Sequence, residues 1–214
     1  MRLVLASNNA KKLAELAALL APLGLELVAQ GALGIAEAEE PHATFLENAL
    51  AKARHAARAA GGAALADDSG LCVDALGGAP GVASAHYAEM PAEASLDREA
   101  QRRRQDAANN RRLLERLEGA ADRRARFVST LVALRHADDP EPLVATGRWE
   151  GEILRAPRGE GGFGYDPLVW IPALGRTVAE LDAALKNAQS HRARAARAMA
   201  ELMQAAWRTG PWGR

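Results

Sequence analysis

The sequence predicts an α/β fold, with short buried strands and amphipathic helices taking turns along the chain. Two observations point there. Apolar strand-like runs at Leu3–Ala6, Leu25–Val28 and Ala63–Ala66 are separated by segments whose apolar residues recur at helical spacing. A strong strand candidate at Phe127–Leu134 is then joined through Asp138-Asp139-Pro140 to a second at Leu143–Trp149, which predicts an antiparallel hairpin. At 214 residues the chain suits one domain with a large core, and with aromatics at only 4% that core must be built from Leu, Val and Ala.

The first strand leads into Ser7-Asn8-Asn9, a turn that supplies an N-cap. In the helix that follows, Leu13, Leu16, Ala17 and Leu20 define the buried stripe. Lys11 falls opposite that stripe and Lys12 on its flank in the first turn, so Lys12 is the better placed to reach a ligand at the strand end. Unpaired backbone N–H groups and the helix dipole make such a turn an anion site, although the glycines and Lys-Ser/Thr pair of a P-loop are absent. A capped surface helix with two solvated lysines is the other reading.

After the second strand comes a loop bearing Glu37, Glu39 and Glu40, then the capping box Thr44-Phe45-Leu46-Glu47. It opens a helix predicted to turn Leu46, Ala49, Leu50, Ala53 and Ala57 inward, with Lys52 on the flank. The third apolar run ends in Asp67-Asp68-Ser69-Gly70, the most informative stretch. At the carboxyl end of a strand two adjacent carboxylates repel unless a cation joins them, and Mg²⁺, held by one or two carboxylates plus substrate phosphates, meets that need. An Asx-turn with both acids in water is equally compatible with these four residues.

Further on, Gly77-Gly78-Ala79-Pro80-Gly81 demands special backbone angles or close approach. A helix is predicted over Ser95–Leu117, with Asp106, Asn109, Asn110, Leu113 and Leu117 on one stripe and the arginines elsewhere on the surface. Gly161-Gly162-Phe163-Gly164-Tyr165-Asp166-Pro167 holds aromatics between glycines beside a carboxylate, a platform on which a nucleobase can stack, with packing of Phe163 as the alternative. A second capping box, Thr177 to Glu180, opens a short helix reaching Lys186, and Ser190 caps a last helix. His191 and Arg192 in its first turn oppose the helix dipole, so acceptor atoms must compensate them.

Basic and acidic residues balance at 27 each, and the arginines of residues 102–104 and 111–112 lack interleaved aromatics, so nucleic acid is not expected as a partner. No run of eighteen apolar residues suggests a membrane span, and the single cysteine, Cys72, cannot form an internal disulfide, which points to a cytoplasmic setting.

Taken together and in order, Ser7–Lys12, Thr44–Ala49, Ala66–Leu71, Gly77–Gly81, Gly161–Pro167 and Ser190-His191-Arg192 resemble the inosine triphosphate pyrophosphatase family, collinear from Leu3 to about Arg197. The resemblance implies a single domain over residues 1–214 of the family's elongated two-lobed type, around a central mixed sheet flanked by helices; residues 207–214 have no counterpart in it and are expected to form a flexible tail. It implies a homodimer, dependence on Mg²⁺, and hydrolysis of deaminated purine nucleoside triphosphates (ITP, dITP, XTP) to a monophosphate and pyrophosphate. Lys12 and Lys52 then resemble phosphate-binding lysines, with Ser7 and Asn9 in the turn and Ser69 adding a phosphate contact. Glu40 and Asp68 resemble the acids at the metal, Asp68 being also the base for the attacking water, while Asp67 is expected to shape the turn. Phe163, Asp166, Lys186, His191 and Arg192, with Gly164 and Tyr165 in the same loop as Phe163, resemble the residues that hold the purine. His86 stands where the family usually has arginine, and the segment from Glu89 to Gln105 is longer and richer in arginine than usual. Two other functions share these residues: pyrophosphohydrolysis of another modified nucleotide, and nucleotide binding without turnover.

Overall fold

A computed structural model of the chain describes residues 2–91 and 97–207. It contains strands β1 (Arg2–Leu5), β2 (Glu26–Ala29), β3 (Ala64–Val73), β4 (Arg124–Leu134), β5 (Leu143–Ile153), β6 (Val169–Ile171) and β7 (Arg176–Thr177). Its helices are α1 (Ala10–Leu20), α2 (Phe45–Ala60), α3 (Arg98–Arg116), α4 (Ala183–Gln189) and α5 (His191–Trp207). The strands form one sheet in the order β2-β1-β3-β4-β5-β6-β7. It is mixed: β1 runs parallel to β2 and β3, whereas β6 is antiparallel to β5 and β7. The Ile153 N–H donates to Arg123 O, and Thr130 Oγ1 meets Thr146 Oγ1. One strand descends as the other ascends, as the predicted hairpin requires.

The chain divides into two compact units. The first comprises residues up to Asp68, Ser129–Arg148 and the chain from Asn187 onward. Its core follows from the two-residue period of a strand, which sends alternate side chains to opposite faces. Leu3, Leu5, Leu65, Leu131 and Ala133 share a cluster with Leu16 of α1 and Ala195, Ala196 and Met199 of α5. Their neighbours Val4, Ala6, Ala64, Ala66, Val132 and Leu134 join Ala49, Ala53, Ala56 and Ala57 of α2. One face of the sheet therefore carries α1 and α5, and the other α2. The small alanines of α2 let that helix approach closely, which is how a chain poor in aromatics fills this side.

The second unit, Ser69–Val128 and Trp149–Lys186, has its own core. Leu113 of α3 and Leu117, its C-cap, pack with Leu71, Val73, Phe127, Trp149, Ile153 and Tyr165. The polar half of the predicted α3 stripe also faces inward. Asn109 donates to the carbonyls of Ser84 and Ala85 and accepts from Ala88 N, replacing the ladder bonds that an irregular segment lacks.

Several expectations are corrected. Asp67–Gly70 lies inside β3 and is not a turn, because β4 stays beside β3 after β1 has ended. In α1 Ala17 is exposed and Leu19 packs against the core in its place, while Leu46 of α2 is 44% exposed in the first helical turn. The segment after Thr177 forms its capping box but only a 3-10 turn over Val178–Glu180; Leu181 turns extended and α4 starts afresh at Ala183. The predicted start of α3 at Ser95 and residues 208–214 of the predicted tail lie outside the described residues, while Trp207 is the last residue of α5.

Candidate active site

The site of the first unit exists because β1 is shorter than β3. Their pairing ends at Leu5 with Leu65, and the chain leaves through Ser7-Asn8-Asn9 into α1. The first residues of β3 beyond that pair, from Ala66 onward, include Asp67 and Asp68. The pleat that sorts the core also sorts the acids: Asp67 shares a face with Leu65, towards α1 and α5, and Asp68 shares a face with Ala66, towards α2. Adjacent carboxylates thus avoid each other without a shared cation, and each meets its own lysine.

Asp67 is buried and receives three side chains. Its Oδ2 pairs with Lys12 Nζ at 3.0 Å and with Arg192 Nε at 3.1 Å, and Ser129 Oγ donates to its Oδ1 at 2.7 Å. Burial alone would raise its carboxyl, but the Lys12 and Arg192 cations overcome this and hold it below the usual carboxylate range. Lys12 is pushed the other way, below its ordinary value, by burial first and by the charges of Arg192 and Lys52, with Asp67 resisting. Arg192 also reaches Glu15 Oε2 through Nη1 at 2.5 Å. The acceptors demanded by a cation in the first turn of α5 are therefore two carboxylates of the protein itself. Ser190 caps that helix through Ala193 N, as predicted.

On the other face Lys52 Nζ donates to Asp68 Oδ1 at 2.8 Å and to Glu40 Oε1 at 3.0 Å. Burial pushes the Asp68 carboxyl above its ordinary value, with the Glu40 charge adding and Lys52 opposing. Burial would lower Lys52, but its two carboxylates win and raise it. Asp68 Oδ2 is buried with no hydrogen-bond partner among the described residues, an arrangement that costs free energy unless something fills it. No group of three His, Cys, Asp or Glu suited to hold a metal ion occurs among the described residues. Two carboxylates with one vacant oxygen fit Mg²⁺, which takes one or two protein carboxylates and completes its shell with water and substrate phosphate.

A cleft of about 130 Å³ opens here, lined among others by Ser7, Asn9, Lys12, Glu37, Glu40 and Lys52. The expectation that bare helix N–H groups await an anion is corrected, since Asn9 Oδ1 accepts from Lys11 N and Lys12 N and Ser7 Oγ accepts from Asn9 N. Lys12 and Lys52 supply the positive charge that lines the cleft.

The second unit holds a separate group. Lys186 Nζ pairs with Asp166 Oδ2 at 2.7 Å and lies 4.4 Å from the centre of the Phe163 ring, while Phe163 N donates to the same Oδ2 at 2.9 Å. Gly164, at φ +61°, gives its N–H to Asp106 and receives a bond from Asn110 on its carbonyl, so α3 grips the loop by its backbone. Gly162 leaves room for the Asp166 carboxylate, which a Cβ there would strike. Tyr165 is spent on structure: it is buried, its hydroxyl donates to Ser84 O at 2.9 Å, and burial raises its pKa. Ser69, the residue after Asp68, belongs to this unit, and the cleft lining does not include it.

Ser7, Asn9, Lys12, Glu40 and Lys52 are thus gathered around one cleft, with Asp68 joined to it through Lys52. Glu15 and Ser129 were missed. Glu15 lies one turn beyond Lys12, and that spacing was the available signal; its partner Arg192 is 177 residues away.

The chain matches the model of the Ham1 family over residues 3–202. It is 73% identical over 207 residues to the dITP/XTP pyrophosphatase of Methylibium petroleiphilum, covering 97% of this chain and 99% of the relative. It is also 73% identical, over 209 residues, to the protein of the same name from Leptothrix cholodnii, with 97% and 99% covered. Among solved structures it resembles a HAM1 protein from Coxiella burnetii, with a TM-score of 0.85, 44% identity, and 96% of this chain and 100% of that one covered. On its sequence and its fold alike, the chain belongs to the Ham1 family.

Proposed function

We infer that this chain is a nucleoside triphosphate pyrophosphatase that hydrolyses the α–β anhydride of deaminated purine nucleotides, ITP, dITP and XTP, to give a nucleoside monophosphate and pyrophosphate. Two relatives, each 73% identical to it, carry the name dITP/XTP pyrophosphatase. The observation that carries the chemistry is the cleft with Lys12 and Lys52 beside Asp68, whose buried Oδ2 has no hydrogen-bond partner among the described residues. Attack of water on the α-phosphorus needs an oriented nucleophile and neutralised phosphate oxygens. Lys12 and Lys52 serve as point charges on the triphosphate. Asp68 accepts the proton of the attacking water, and Lys52 fixes its orientation by holding Oδ1. Glu40 and Asp68 would hold Mg²⁺, which when bound would supply further charge neutralisation on the phosphate oxygens.

Selectivity follows from donors at the start of α5. Inosine and xanthosine carry a keto acceptor at the 6-position, which pairs with donors from His191 and Arg192, whereas the amino group of adenosine sets donor against donor. Hydrogen-bond readout of this type discriminates by about 10⁴-fold or more. Asp67 and Glu15 lock the guanidinium of Arg192 in one orientation, which such readout requires. In the second unit the ring of Phe163 serves as a stacking surface for a purine, with Lys186 and Asp166 holding its loop. The chain works as one catalytic domain, as a homodimer in the cytoplasm. The family resemblance supports the dimer, and the location is supported by the lone cysteine; no described helix is long and apolar enough to cross a membrane.

Pyrophosphate release from ITP, dITP, XTP, ATP, GTP, CTP and UTP, with and without Mg²⁺, tests this. Turnover of the first three should exceed that of ATP by orders of magnitude and vanish on chelation. Comparable turnover of ATP and ITP defeats the selectivity argument, and binding of ITP without pyrophosphate release defeats the enzymatic one.

A further inference from the structure

The arginines of α3 were expected to be a solvated face, yet Arg102 is partly buried with its guanidinium carbon 5.4 Å from the centre of the Phe163 ring. Arg102 and Lys186 both lie against the Phe163 ring, and they are held very differently. Lys186 is fixed by a 2.7 Å ion pair to the buried Asp166. Among the described residues no carboxylate lies within salt-bridge distance of Arg102: the neighbouring Glu99 approaches Arg103, and Asp106 Oδ2 accepts from Gly164 N. Among the described residues the Phe163 ring is the partner of its guanidinium. A planar guanidinium lies on an aromatic ring much as a base does.

We propose that Arg102 is a displaceable cap on Phe163, a positioning residue that occupies the stacking surface in the free protein and gives way when a purine stacks there; this rests on the reading of Phe163 as a purine platform. The consequence is a self-competition. Binding needs the uncapped conformer, so the apparent affinity for nucleotide is reduced by the fraction of molecules in which the ring is uncovered. A cation on an aromatic face at a partly exposed site changes such an equilibrium by about two- to fivefold. The cap also explains how an aromatic ring in a glycine-rich loop is kept from solvent between turnovers.

The test is Arg102→Met, which keeps an unbranched stem and the helix propensity of the side chain and removes its charge and plane. KM for ITP, and the dissociation constant for inosine monophosphate by titration calorimetry, should both fall about two- to fivefold, with the melting temperature checked against the parent. An unchanged KM, or one that rises, overturns the cap; a rise means that the arginine holds the nucleotide. Phe163→Leu separates the cap from the platform. If Phe163→Leu raises KM and Arg102→Met fails to lower it, the cap alone is wrong. If Phe163→Leu leaves KM unchanged, the platform reading itself has failed. In the Phe163→Leu background, Arg102→Met should have no effect, and a persisting decrease in KM contradicts the cap.

Discussion

Asp67→Asn is the substitution whose outcome the structure revises most. Sequence alone makes Asp67 a turn-shaping neighbour of Asp68, whereas the structure makes it the buried anion between Lys12 and Arg192. Asparagine keeps an oxygen for the Ser129 hydroxyl but removes the charge that faces both cations. Breaking a buried ion pair from one side costs about 3–5 kcal/mol. Two features moderate this: Arg192 retains Glu15, and the Lys12 side chain keeps 18% of its surface exposed. The lower end, about 3 kcal/mol, is therefore expected, which for a chain of this size lowers the melting temperature by about 6–12 °C. Urea unfolding followed by circular dichroism reads the loss directly, provided the slope is unchanged. The pH dependence gives an independent check. The folded-state pKa of Asp67 lies below its unfolded value, so its contribution is present above the ordinary carboxylate range and lost as pH falls below it. From pH 6 to pH 3 the parent should therefore lose more stability than Asp67→Asn does. A loss under about 1 kcal/mol at neutral pH, with parallel acid profiles, refutes the buried-hub account.

Other outcomes follow from single contacts. A Cβ at Gly147 would strike His191 O and Ala195 N, backbone atoms at the start of α5, so Gly147→Ala should destabilise by about 1–3 kcal/mol and reduce activity. An unchanged melting temperature contradicts that close approach. Lys186→Met removes the cation from the buried Asp166, and loss of a charge-assisted bond of about 1.5–3 kcal/mol should raise KM for ITP by about tenfold or more; unchanged KM and melting temperature mean the pair does not order the Phe163 loop.

Local signals were legible. Asn9, Thr44, Thr177 and Ser190 were readable as caps because capping is decided within four residues. The inward polar half of α3 was readable from periodicity. The misplacement of Arg192 against the helix dipole correctly announced an acceptor, but its identity depends on residues 125 and 177 positions away. Asp67–Gly70 was misread because its composition is that of a turn, while its conformation is set by the strand beside it. Once it is known to be a strand, the pleat assigns the two acids to different helices with no further information. The Arg102 contact with Phe163 was invisible for a similar reason, as it joins a helix face to a loop 61 positions further along the chain (163 − 102 = 61).

The central claim is that Asp68, with its vacant buried oxygen beside Lys52 and Glu40, carries the hydrolysis. Pyrophosphate release from ITP by Asp68→Asn with saturating Mg²⁺, on protein shown to be folded, tests it most directly. The account predicts a fall in kcat of at least about 10²-fold, and a larger loss than Asp67→Asn shows below its own melting temperature. Turnover by Asp68→Asn near that of the parent would contradict it.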